Sequence, residues 1–168
     1  MTSIVEEKIL ETLREVRTVN DQIMLRDAVG IMEGSLYRKD GVETDKILAD
    51  SLPERLYQAI RKILAEKIFS DPEELKKYIA GIKERLQKMK EVYFEIVFDP
   101  DEYFIGEISE WILKELGEDI VIDFYLNPSI VGGAVIISEG EYFNFTMSAI
   151  LERTFEKSWA DVNRERNI

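Results

Sequence analysis

The chain contains no cysteine and no histidine. The first absence excludes disulfides, thiolate nucleophiles and Cys-ligated zinc. The second removes imidazole both as a metal ligand and as the commonest general base near neutral pH. Basic side chains are also scarce: 34 acids stand against 22 bases in 168 residues, a net charge of -12. A surface of that sign repels nucleic acid and anionic membrane, both of which need clustered Lys and Arg. Where basic residues do gather, from 76 to 90, they alternate with Glu and apolar residues at helical spacing, the pattern of a solvated helix face. No apolar run approaches the roughly 20 residues of a spanning helix. The start, "MTSIVEEKILETLREV", lacks the cationic and uniformly apolar regions of a signal peptide. The expected setting is the cytoplasm.

What remains is an ordinary globular balance, 45% hydrophobic and 33% charged, of a length that suits one domain or two small ones. Ile9, Leu13, Val16 and Ile23 recur at helical spacing and predict one long amphipathic helix from Ile4 to about Met32, interrupted near Gly30. "EGSLYRKDG" (33–41) reads as a loop. A second helical region begins near Thr44, with a fresh start at Ser51-Leu52-Pro53-Glu54 and a stripe of Leu56, Ile60, Leu64 and Ile68. "SDPEEL" (70–75) is a strong helix start, and Leu75, Ile79, Ile82, Leu86 and Met89 follow in a short heptad-like seam.

The pattern then changes. "VYFEIVF" (92–98) is β-branched and aromatic, as in a strand. A capped helix follows, with Phe104, Ile105, Ile108, Trp111, Ile112 and Leu116 facing inward and Gly117 ending it. Strands are expected at 119–127, 132–138 and "YFNF", the last two joined by a tight turn at "SEGE". The final helix starts near Thr146 and should bury Met147, Ile150, Leu151, Phe155 and Trp159, with "NRERNI" as a polar tail. The class is α+β: a helical bundle over residues 1–90, then a small α+β domain over 91–168 with a mixed four-stranded sheet.

Four features bear on chemistry. The adjacent Gly132 and Gly133 fit neither GxxxxGK[ST] nor GxGxxG, lack a lysine, and precede a strand rather than a helix. A bulge or a close backbone approach explains them better than a phosphate site. Asp99, Asp101 and Glu102 lack the ligand spacing of a calcium loop and suit a helix start. Asn144 and Thr146 stand where a strand turns into a helix, and each can cap it. No GxSxG elbow is present, and a Ser triad cannot form without histidine. The expectation is a protein without catalytic residues, cofactor, metal, small-molecule ligand or nucleic acid.

The stretch "LNPSIVGGAVIISEGEYFNFTMSAILERTFEK" (126–157) resembles the C-terminal signature of the delta subunit of F-type ATP synthase, the family of the oligomycin sensitivity conferral protein. Pro128, Gly132, Gly133 and Gly140 match the family's pattern without a gap, and Leu151 falls on its leucine. Asn144 and Thr146 stand where the family carries Asp and Ser. The strand–helix–strand order of 92–126 also agrees, whereas the Tyr-Ala start of the family's six-helix N-terminal bundle has no counterpart here. The resemblance implies a non-catalytic peripheral-stalk subunit of a proton- or sodium-translocating synthase. Its partners would be the alpha and b-type stator subunits, and the complex would hold it at the inner face of the cell membrane. Two alternatives stand beside it. One is the E-type peripheral-stalk protein of the V/A-type ATPases, with a similar Gly-Gly strand but poorer hairpin spacing. The other is an unrelated acidic adaptor.

Overall fold

The computed structural model describes residues 3–36 and 41–165, with side chains over 3–36 and 43–156. Helix α1 (Ile4–Leu13) opens with Ser3, whose hydroxyl accepts from the Glu6 amide. Helix α2 (Val19–Ser35) is a separate element, so the expected single helix is broken between Leu13 and Val19 and runs through Gly30 uninterrupted. The cause is a capping box. Thr18 is extended and its Oγ1 accepts from the Asp21 amide at 3.2 Å, while Asp21 Oδ2 accepts from the Thr18 amide at 3.0 Å. Buried Asp21 also takes the Arg55 guanidinium at 2.6 Å, and Arg55 donates to the Glu15 carbonyl as well. An ionised side chain thus closes the gap between the two helices from a third one.

Helices α3 (Gly41–Ser51), α4 (Glu54–Leu64) and α5 (Pro72–Lys88) follow, with a 3-10 turn at Lys67–Ser70. The expected loop at 33–41 is shorter than read: α2 reaches Ser35, α3 begins at Gly41, and residues 37–40 lie outside the described residues. Pro53 precedes α4 and Asp71 caps α5, as their sequences predict. Leu25, Val29, Leu56, Ile60, Ile63, Ile82 and Leu86 form the centre of one apolar core. Two polar contacts lie inside it. Thr12 and Tyr78 share a 2.6 Å hydrogen bond, and Gln22 Nε2 donates to the Leu86 carbonyl, one of the unpaired carbonyls at the end of α5.

Helix α6 (Glu102–Glu115) separates strands β1 (Lys90–Ile96) and β2 (Ile120–Leu126). Strands β3 (Val135–Ser138) and β4 (Glu141–Asn144) precede helix α7 (Met147–Glu165). The class is α+β, and the sheet order is β2-β1-β3-β4. Strand β3 runs antiparallel to β1 and to β4. The Lys90 amide donates to the Asp119 carbonyl and the Asn127 amide to the Ile96 carbonyl, so β1 and β2 run parallel and the sheet is mixed.

The chain divides into two compact units, one comprising residues up to Glu91 with Tyr103–Val121, the other Val92–Glu102 with Ile122 onward. One break thus falls between Glu91 and Val92, and the α6 segment groups with the helices. Val121 belongs to the helical core, and Arg85 and Arg14 pair with Asp119 and Glu118. The inward face read for α6 is too wide: Ile112 is buried, but Trp111 and Leu116 are exposed.

Burial pushes the Tyr78 hydroxyl up to about 12, and its bond with Thr12 offsets this only in part. The fold favours the protonated phenol, so this contribution is complete below the ordinary tyrosine range and is lost as pH rises through the folded value. Tyr78 should give no tyrosinate absorbance in the ordinary tyrosine range near pH ~10 and should ionise with alkaline unfolding. A Tyr78→Phe variant that leaves the late step in place would contradict this.

Candidate functional site

Pro128, Gly132, Gly133, Gly140, Asn144 and Thr146 lie around the β3–β4 hairpin and the start of α7. Strand β2 ends at Leu126, and Asn127 turns the chain. Its side-chain oxygen accepts from the Ser129 amide at 3.1 Å and from the Ser129 hydroxyl at 2.5 Å, an Asx turn around Pro128. Its amide group donates to Glu95 on β1 at 3.1 Å. Nothing in the sequence links Asn127 to Glu95; only strand pairing brings them together.

The glycine pair does not belong to β3, which starts at Val135, so the expected 132–138 strand is shorter by three residues. Gly132 and Gly133 instead occupy left-handed backbone with φ of 70° and 80°. A β-carbon on Gly133 would overlap the Phe145 carbonyl oxygen and lie 2.9 Å from the Thr146 α-carbon. The two segments are joined there by backbone hydrogen bonds, Phe145 to the Ala134 carbonyl at 2.9 Å and Met147 to the Gly132 carbonyl at 3.1 Å. The glycines are thus a place of close backbone approach.

Gly140 has a different task. With Glu139 it forms the two-residue turn between β3 and β4, at φ of 84° and 51°. Left-handed values at both central positions are those of a hairpin turn that matches strand twist. Beyond β4, Asn144 Oδ1 accepts from the Thr146 amide at 3.0 Å and from its hydroxyl at 2.7 Å. Thr146 Oγ1 in turn accepts from the Ala149 amide at 3.3 Å and caps α7. Thr146 is buried, and Arg153 donates to the Asn144 carbonyl at 2.8 Å, closing the junction from the helix side.

Leu151 stands apart from this cluster. It shares an exposed face of α7 with Met147, Ile150 and Phe155, all of which sequence periodicity predicts to be buried. A 3.6-residue period reports that a helix has an apolar face, not that the same chain covers it. The Trp159 side chain lies outside the described side chains; of the expected tail "NRERNI", residues 163–165 belong to α7 and 166–168 lie outside the described residues.

No histidine, cysteine or carboxylate group among the described residues is arranged to hold a metal, Asp99, Asp101 and Glu102 included. No described helix is long and apolar enough to cross a membrane. The chain matches no protein-family model and no curated protein.

Gly133→Ala should destabilise the β3–β4–α7 junction by about 3 kcal/mol, since left-handed strain adds to a backbone clash. Gly140→Ala, with open space around it, should cost about 1 kcal/mol. Denaturant unfolding read by amide exchange in β3 checks the ranking; equal effects would refute the close-approach role. Thr146→Ala should cost about 1 kcal/mol, with early exchange of the Ala149 amide.

Proposed function

We propose that this chain is a non-catalytic peripheral-stalk subunit of an F-type ATP synthase, linking the catalytic head to the membrane-anchored stator. The observation that carries the reading is the register of residues 126–157, in which Pro128, Gly132, Gly133, Gly140 and Leu151 follow the delta-subunit signature. A turn, a close backbone contact, a hairpin and a capped helix at these positions support a mechanical reading. Leu151 sits on an exposed apolar helix face, suited to receiving a partner helix. The first unit adds a helical core built from α1 to α5, in keeping with a family whose N-terminal half is a helical bundle.

A stator element carries torque by staying in place, so a rigid junction and extensive docking surfaces serve it better than a cleft. Its partners on this reading are the alpha and b-type subunits, and it reaches the inner face of the membrane only through them. The E-type peripheral-stalk protein of the V/A-type ATPases is the second reading. Its Gly-Gly strand resembles the Gly132-Gly133 stretch ahead of β3, but the hairpin spacing at Glu139-Gly140 follows the delta pattern more closely.

Purification from native membranes at low ionic strength tests the assignment. The chain should co-purify with the alpha and b subunits, and ATP titrated into the isolated chain should give no binding heat. Repeated absence from the complex would refute the assignment, and recovery with V/A-type subunits would favour the second reading.

A further inference from the structure

One face of the sheet carries a pattern that the stator reading does not use. In the β1–β3–β4 register, Tyr93 stands opposite Ile137 and Ile137 opposite Tyr142. Directly opposed residues project to the same side, so these three form a row across three strands at about 4.8 Å per step. The parallel register extends the row to β2. The bonds from Lys90 to Asp119 and from Asn127 to Ile96 set Tyr93 beside Asp123 and Glu95 beside Tyr125. The same register sets Phe94 beside Phe124, whose rings lie 5.8 Å apart on the opposite face. Two tyrosines and two carboxylates therefore alternate like squares of a checkerboard: Asp123 next to Tyr93, Tyr125 next to Glu95.

The tyrosines of this face are open to solvent, while Glu95, Asp123 and Ile137 are half-buried and Val121 and Val135, on the same side, are buried. Tyr93 is 42% exposed, and Tyr125 and Tyr142 are each 62% exposed. On β1 the side chains that point the other way, Val92, Phe94 and Ile96, are buried. Charge selects the occupant. Segments 92–102 and 122–156 of this unit carry nine acidic residues and one basic one, Arg153. Arg153 is held by its bond to the Asn144 carbonyl.

We propose that this face docks a cationic protein segment, whose Lys or Arg side chains lie over Tyr93, Tyr125 and Tyr142 and pair with Glu95 and Asp123. A tyrosine ring attracts a cation through its π face, and a neighbouring carboxylate at a sheet surface adds a charge-assisted hydrogen bond. Exposed aromatic sheet faces also stack nucleic-acid bases, but such sites add a basic groove, and this surface has the opposite sign. The Glu95 carboxylate is fixed in place by the Asn127 side chain, which preorganises one half of the pattern. The inference holds whichever complex contains the chain.

The test uses the full chain, isotope-labelled, titrated with a synthetic peptide of alternating Arg and Ala and with an alternating Glu and Ala control. Amide shifts should appear on β1 to β4 around Tyr93, Glu95, Asp123 and Tyr142, with affinity falling as salt is raised. Tyr93→Ser and Tyr142→Ser should each weaken binding about two- to fivefold. Glu95→Gln with Asp123→Asn should weaken it further and flatten the salt dependence, while circular dichroism confirms that the variants stay folded. Absence of binding, equal binding of the acidic control, shifts confined to the helical unit, or self-association through this face would each overturn the proposal.

Discussion

At Gly133 two backbone segments approach so closely that no side chain fits between them, and the second unit is organised around that contact. The loop from Asn127 to Ala134 can lie against the Phe145–Thr146 turn only because both glycines accept left-handed backbone. Once they touch, the Ala134 and Gly132 carbonyls take the amides of Phe145 and Met147. The same turn is gripped from its other side by Asn144 and Arg153. A helix start, a hairpin end and a loop are thereby joined with little buried apolar surface. That arrangement leaves apolar residues for other uses, on α7 and on the outer side of the sheet.

The first unit is held together differently. Its core joins aliphatic side chains to Tyr57, Phe69 and Tyr78, and two of its polar contacts serve helix ends: Asp21 caps α2 while holding Arg55, and Gln22 satisfies a carbonyl at the end of α5. Buried charge of this kind contributes specificity of arrangement more readily than net stability. The two units thus differ in character, one with an extensive buried helical core, the other acidic with aromatic and aliphatic side chains facing outward. On the stalk reading, the second is where docking surfaces would be expected.

Much of the fold is legible in the sequence, for physical reasons that can be named. Asp71-Pro72 and Leu52-Pro53 mark helix starts because proline and a capping oxygen suit unpaired amides, and both helices begin there. The Glu139-Gly140 turn is readable from one glycine between two β-rich runs. The break at Thr18 is hidden, although Thr-Val-Asn-Asp spells a capping box, because a smooth apolar period runs across it. The α7 face and Trp111 mislead for a deeper reason: periodicity reports that a helix has an apolar face, not that the same chain covers it. At the junction, the glycines show that something comes close but not what. Phe145 lies 12 positions away in the chain, and only the hairpin brings it back. The tyrosine–carboxylate pattern is invisible for the same reason, since it exists only in the register between strands.

A stator subunit acts by holding the head still, and a coupling experiment reads that action. Inverted membrane vesicles stripped of this chain should still hydrolyse ATP but lose ATP-driven ion pumping, and adding back the purified chain should restore pumping without changing hydrolysis. Pumping that is unaffected by its removal, or hydrolysis that disappears with it, would contradict a stator role.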